Sequence, residues 1–188
     1  MFSKKLQATS YKLSKGFSII ELMVVISIIG IMSGLMFANY RQGERDTALE
    51  YSAQQIAQDI RHAQNLSLAG PKDTYGYGIR FKKNKPSEYF IYGDEGSKNN
   101  NHQYNEGEDG TPNPIVLSNN IEINDIMINL TTNNVADIFF APPDPVTYIN
   151  GNNANNTKAE IKICSTIQTN KCKIISITTT GQVDVSNQ

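Results

Sequence analysis

The chain has 188 residues and a formal net charge of −1, with 17 Lys and Arg against 18 Asp and Glu. This balance excludes the strongly basic profile of a nucleic-acid-binding domain. Apolar residues make up 39% of the chain, enough for one domain with a modest core.

Residues 1–16 form a basic leader. They contain four lysines and no acidic residue: Lys4, Lys5, Lys12 and Lys15. An excess of lysine before an apolar segment keeps that end of the chain in the cytoplasm. We therefore predict a cytoplasmic N-terminus, with the rest of the chain exported.

Residues 17–38 form an apolar run with a single charged residue, Glu21. About 20 apolar residues span a bilayer as a helix, so the run is long enough to cross. An ionised Glu within hydrocarbon costs at least ~2.5 kcal/mol and is rarely left without a partner. No cation lies between Gly16 and Asn39. The partner of Glu21 must therefore come from elsewhere.

A proteolytic cut between Gly16 and Phe17 would supply that partner. The run is too long for a conventional secretory signal, and the small residue that could mark a cut precedes it. Cleavage there creates an α-amine on Phe17, which can neutralise Glu21 of the same chain or, after an axial shift of about one helical turn, Glu21 of a neighbour. Only the second pairing builds a polymer.

The segment KGFSIIEL, residues 15–22, resembles the processing site of the type IV pilin superfamily. The resemblance implies that a prepilin peptidase cleaves after Gly16 and N-methylates Phe17. It also implies that Glu21 recruits the subunit into a fibre with other pilins or pseudopilins. The expected location is the bacterial inner membrane, with a periplasmic C-terminal domain.

The length and the C-terminal pattern are similar to those of GspH/FimT-type minor pilins and pseudopilins. Two features depart from the relatives. Ala38 stands where many carry a proline, and residues 181–188 contain no Lys or Arg, whereas some FimT-like proteins bind DNA through a basic C-terminal motif. Phosphate contacts need clustered cations, so nucleic acid is a disfavoured partner.

Residues 39–70 continue the helix beyond the membrane. Apolar and small residues recur there at steps of three and four, which predicts one buried helical face: Leu49, Ser52, Ala53, Ile56, Ile60, Ala63 and Leu66. Gly70 and Pro71 are expected to end the helix.

Residues 71–188 have the period-two pattern of short strands. The candidate strands are 75–81, 88–92, 114–117, 121–130, 137–140, 157–164, 171–179 and 182–185. The predicted fold is therefore α+β: a long N-terminal helix, membrane-spanning in its first half, packed on a mainly antiparallel β-sheet or small β-sandwich.

The chain has two cysteines, Cys164 and Cys172. Strand alternation places Ile161 and Ile163 on one face and Cys164 on the other, and Cys172 falls on the same outer side of the predicted partner strand. An oxidising periplasm favours a disulfide between them. A free thiol pair or a metal site fits less well, because no histidine lies near either cysteine.

Three polar segments, 93–113, 141–145 and 150–156, are predicted to be solvated surface connections. The first contains several acidic residues, Asp94, Glu95, Glu106, Glu108 and Asp109, which leaves calcium binding as an open alternative, although the spacing does not match an EF-hand. His62 and His102 are far apart, and no nucleophile motif accompanies them. We expect no cofactor, no metal and no enzymatic activity.

Two functions of different classes remain. The first is a structural assembly subunit, a minor pilin or pseudopilin of a type IV pilus or type II secretion system. The second is a membrane-anchored β domain that binds a surface, a secreted substrate or DNA. The sequence does not separate the two fibre systems.

Overall fold

A computed structural model describes residues 16–70, 74–95, 101–106, 112–144, 146–168 and 171–187. The chain divides into two compact units, residues 1–42 and 43–188. The described elements are α1 (Ile19–Leu68), β1 (Tyr77–Lys82), β2 (Glu88–Gly93), β3 (Ile115–Val116), β4 (Ile121–Ile128), β5 (Thr131–Thr132), β6 (Val135–Ala141), β7 (Val146–Ile149), β8 (Lys158–Ser165), β9 (Cys172–Thr178) and β10 (Val183–Asn187). This confirms the α+β, pilin-like fold class. Residues 1–15 of the leader lie outside the described part of the chain.

The second unit begins with the C-terminal part of α1, whose predicted buried face is confirmed. Leu49, Ala53, Ile56, Ile60 and Ala63 are all buried, because residues three and four apart share one side of a helix. The exception is Leu66, the last residue of the predicted face, which is only half-buried. The helix ends at Leu68, and Gly70 follows with a φ of 74°, the left-handed conformation that glycine adopts most readily after a helix.

The strands form two five-stranded antiparallel sheets. The first sheet has the order β3-β2-β1-β6-β7, and the second sheet has the order β10-β9-β8-β4-β5. One core cluster contains residues of α1 and of both sheets. Strand alternation drives this arrangement, as in β8, where Ala159, Ile161 and Ile163 are buried and the residues between them are partly exposed. The small-sandwich form of the prediction is therefore the one observed.

All eight predicted strands are present, with ends that differ by up to two residues from the predicted ones. Two further strands were missed. β5 has only two residues, and β7 follows directly on the proline-containing segment 141–145 that was expected to be a turn.

Polar contacts tie α1 to both sheets. The Tyr89 hydroxyl of β2 donates a 2.6 Å hydrogen bond to Asp59 Oδ2 of α1. Burial, followed by this hydrogen bond, raises the pKa of Tyr89 well above its ordinary value. On the other side, Lys171 Nζ lies 2.5 Å from Asp46 Oδ1, and Lys173 pairs with Glu50. The hydrogen bond from Lys173 is the main reason that the pKa of Glu50 is lowered.

The outer face of the first sheet, opposite the core, carries a second apolar cluster. Phe139 and Tyr92 are 0% and 2% exposed there, although their neighbours along each strand point into the core. Gly76 and Gly78 make room for these two rings, since a Cβ on either glycine would collide with Phe139 or Tyr92. A layer of aromatic side chains therefore lies directly on the strand backbone.

Residues 101–106, which we call the cover segment, lie over this outer face. Its Tyr104 ring contacts the rings of Phe90 and Tyr92 at centroid distances of 5.0 and 5.2 Å. The Tyr104 carbonyl accepts a 2.9 Å hydrogen bond from Arg80 Nη1. The prediction that the whole of 93–113 is a solvated connection is therefore wrong for this segment, because aromatic side chains hold it against the sheet.

Candidate functional site

The predicted cleavage site lies in non-helical backbone. Gly16, Phe17 and Ser18 precede α1, which begins at Ile19, two residues later than predicted. Both residues of the predicted scissile bond are exposed, and the Phe17 side chain is 88% exposed. A peptide bond in this setting is accessible without unwinding the helix.

Glu21 lies in the first turn of α1 and accepts a hydrogen bond from its own chain. The backbone N–H of Ser18 donates to Glu21 Oε2 at 3.2 Å. Ser18 directly precedes the helix, so Ser18 and Glu21 occupy the N-cap and N3 positions of a capping box. With Gly16 attached, the nitrogen of Phe17 is an amide, and the carboxylate of Glu21 accepts its hydrogen bond from the backbone at the start of the helix. The Ser-x-x-Glu spacing is visible in the sequence but was not used to place the start of the helix.

The first part of α1 is long and apolar enough to cross a membrane. Residues Ile19–Met36 have a mean hydropathy of 2.4, and none of this window is buried inside the protein. Its large apolar side chains are between 49% and 80% exposed. Such exposure is unfavourable in water but favourable in lipid.

Small residues interrupt this apolar surface. Gly30 and Gly34 have no non-neighbouring atom within 4 Å of the position a Cβ would occupy. The hydroxyl of Ser27 donates a 2.7 Å hydrogen bond to the Met23 carbonyl, so its polar atom is satisfied within the helix. Nothing within the described chain requires the two glycines, and each lowers helix stability by up to ~1 kcal/mol.

The predicted disulfide is present. Cys164 of β8 and Cys172 of β9 face each other in register and are joined by a bond, with a Cα–Cα distance of 4.1 Å. The sequence separation is eight residues, so the bond closes the end of a hairpin. The ion pairs of Lys171 and Lys173 with α1 flank the same hairpin end, a contact that the sequence did not reveal.

The two histidines are in different environments. His62 is exposed on α1. His102 belongs to the cover segment, where its ring lies 5.3 Å from the Phe139 ring and 3.9 Å from the Tyr148 ring, between centroids. Burial lowers the pKa of His102, and the carboxylate of Asp94 partly opposes this shift.

Among the residues that the structure describes, no group of three His, Cys, Asp or Glu side chains is arranged to hold a metal ion. The acidic residues Glu108 and Asp109 lie outside the described ranges. The calcium alternative therefore stays an untested prediction.

These features define a membrane-anchored protein with one apolar helix, a processing-type N-terminus and an α+β domain. The sequence profile of the prokaryotic N-terminal methylation motif matches residues 11–37. This match supports the resemblance of the N-terminal segment to the type IV pilin-like superfamily, whose motif implies processing by a prepilin peptidase. The match does not extend into the β-rich domain and does not distinguish a GspH/FimT type. No curated protein and no solved structure matches the chain significantly.

Proposed function

We propose that the chain is a minor pilin or pseudopilin, a structural and non-enzymatic subunit of a type IV pilus or a type II secretion fibre. The prepilin peptidase cleaves it between Gly16 and Phe17 and methylates the new terminus of Phe17. The subunit is anchored in the bacterial inner membrane, and its β-rich domain lies in the periplasm. Other pilins or pseudopilins are its partners.

The observation that carries this proposal is the placement of Glu21. It is the only charged residue in an apolar span whose described side chains face no other part of the protein. Its hydrogen-bond donor is a neutral backbone N–H, and no described residue provides a cation for the negative charge. A new α-amine on Phe17 of an adjacent subunit supplies that cation, and the pairing joins the two subunits.

The glycines of the span support the same role. Gly30 and Gly34 have the small-xxx-small spacing that allows two helix backbones to approach closely in a membrane. They have no packing role within the described chain. Close contact with a neighbouring helix gives them one.

The charges of the β-rich domain favour assembly over DNA capture, the binding role considered as the alternative. Five of its described lysines and the half-buried Arg80 are engaged by carboxylates within the chain, in the pairs Arg80–Asp137, Lys83–Asp125, Lys85–Glu88, Lys158–Glu160, Lys171–Asp46 and Lys173–Glu50. A phosphate backbone would have to compete with each of these carboxylates.

Maturation can be tested directly by mass spectrometry of the chain extracted from cells with an active prepilin peptidase. We expect a polypeptide that begins with N-methylated Phe17. Gly16→Ile should block cleavage, because a branched side chain replaces the small residue at the scissile bond, and the larger precursor should persist. Gly43→Ile, at an exposed glycine beyond the span, is the matched control and should be processed normally. An intact Met1 in the wild-type chain would contradict the proposal.

A further inference from the structure

The cover segment is held on the outer face of the first sheet at two points. Tyr104 packs on Phe90 and Tyr92, and its carbonyl is bound by Arg80. At the other point the His102 ring packs against the rings of Phe139 and Tyr148. Both points are dominated by ring contacts, which contribute about 0.5–1.5 kcal/mol each beyond area burial. The cover segment is thus attached by a small number of replaceable contacts.

Further contacts fix the shape of the segment. The Asn101 carboxamide oxygen accepts a 3.1 Å hydrogen bond from the backbone N–H of Gln103, and the side chains of Asn101 and Asn105 pair at 3.2 Å. The Gln103 side chain lies against Gly151, where any Cβ would collide with it. His102 itself has a φ of 55°. The segment therefore docks as a preformed unit.

The surroundings of His102 suit a neutral imidazole. Its Nδ1 atom is buried and has no hydrogen-bond partner among the described residues. The charged group that acts on His102 is Asp94 after β2. Elsewhere along the cover segment, Arg80 of β1 binds the Tyr104 carbonyl and pairs with Asp137 of β6 at 3.2 Å. The titratable tyrosines are Tyr92 of β2 and Tyr148 of β7. An imidazolium in this position would carry an additional N–H, and the buried Nδ1 has no acceptor for it among the described residues.

We propose that residues 101–106 form an acid-released cover, which leaves the outer face of the first sheet when His102 is protonated and exposes the aromatic side chains of Tyr92, Phe139 and Tyr148. The device is independent of the N-terminal motif, because it uses only residues of the β-rich domain.

The direction of the pH effect follows from linkage. In water the pKa of a histidine is about 6.5. Docking of the cover segment lowers the pKa of His102. The docked state therefore binds fewer protons than the released state. Docking is fully favoured above about pH 6.5, and it weakens as the pH falls from there towards the lowered pKa of docked His102. Each unit of difference between the two values makes release about tenfold more favourable in acid.

The protonation step can be measured on the full chain in detergent by NMR of selectively labelled histidine. The chain has two histidines, and His62→Asn assigns the two signals. We expect the His102 signal to give a pKa below that of the same histidine in the denatured chain. Asp94→Asn should lower it further, because the carboxylate that favours protonation is removed. A His102 pKa at or above that in the denatured chain would overturn the proposal.

Release can be measured by hydrogen exchange of peptides that contain residues 101–106. Uptake at pH 7 and pH 5 is divided by that of the denatured chain at the same pH, which removes the chemical pH dependence. We expect the corrected uptake of the wild-type chain to rise about threefold or more in acid. His62→Asn, the matched control, should show the same rise.

Two variants separate the charge from the packing. His102→Phe keeps an aromatic ring, and His102→Asn keeps a residue that tolerates the positive φ. Neither can be protonated, so the acid-dependent rise should be absent in both. A rise that persists in both variants, or that is absent in the wild-type chain, would refute the acid-released cover.

Discussion

The two parts of α1 contain the same kinds of apolar residue in opposite environments. Ile26 and Ile29 are 58% and 57% exposed, whereas Ile56 and Ile60 are fully buried. The first pair belongs to an unbroken apolar run, and the second pair recurs at helical spacing among polar residues. An unbroken run is typical of a helix with lipid on all sides, and a periodic stripe is typical of a helix with protein on one side.

The acidic residues of α1 show the same contrast. Asp59 accepts a hydrogen bond from Tyr89 within the folded domain, so its role is complete in one chain. Among the described residues, the hydrogen-bond donor to Glu21 is the N–H of Ser18, three residues away. The stability of the β-rich domain is therefore decided within the subunit, whereas under the proposed function the charge in the apolar span is compensated between subunits.

The largest expected effect is on assembly. Glu21→Ala should leave membrane insertion intact and reduce incorporation into fibres more than tenfold, because the Phe17 α-amine of the neighbouring subunit is left unpaired in lipid, where an isolated charge costs at least ~2.5 kcal/mol. Sheared fibres assayed by immunoblot measure the incorporation. Glu122→Ala, which removes an exposed acid of β4, is the control and should incorporate normally. Normal incorporation of the Glu21 variant would mean that this carboxylate does not recruit the subunit.

The next largest effect is on the stability of the β-rich domain and should leave processing at Gly16 unchanged. Ile60→Ala removes a fully buried side chain from the common core and should lower the free energy of unfolding by about 2–5 kcal/mol. Thermal unfolding of the full chain in detergent, followed by near-ultraviolet circular dichroism of the tyrosines, measures it. Ile29→Ala, the matched change in the apolar span, should leave this transition in place. Equal losses in the two variants would remove the distinction between the two parts of α1.

The sequence predicted the features that depend on local pattern. The alternation around Ile161 and Ile163 correctly placed β8 and the outward side of Cys164. By contrast, β7 is a four-residue strand, and it is defined by pairing with β6, such as Phe139 with Tyr148. Such pairing between separate segments has no periodic signal in the sequence.

The cover segment illustrates the same limit more strongly. Its residues are mostly polar and lack periodicity, which is typical of a solvated loop. Its docking depends on Gly76 and Gly78, more than 20 residues earlier, which leave space for the rings of Phe139 and Tyr92. At the candidate site, the residues Gly16, Phe17 and Glu21 were identified from the motif, but the capping bond of Ser18 was not.

A smaller effect concerns the hairpin end that contacts α1. Replacing both cysteines, with Cys164→Ser and Cys172→Ser, should lower the free energy of unfolding by about 2–3 kcal/mol, because the disulfide closes a short loop in the unfolded chain. Denaturant unfolding of the full chain measures the loss, and the wild-type chain under reducing conditions should show a similar one. Cleavage at Gly16 should proceed normally in the variant. A processing defect would show that the two regions are coupled.

The smallest effect sharpens the comparison between exposed apolar residues in lipid and in water. Leu130 is 88% exposed in the β-rich domain, where no bilayer covers it, and its φ of 67° is unfavourable for a bulky residue. Leu130→Gly should therefore raise the free energy of unfolding by about 0.5–1 kcal/mol, since the relief of backbone strain exceeds the entropy that glycine adds to the unfolded chain. Val116→Gly is the control, because Val116 is 64% exposed on β3 and has no positive φ, so its loss should destabilise the domain. If Leu130→Gly also destabilised the domain, its exposed side chain would be making a stabilising contribution that outweighs the strain.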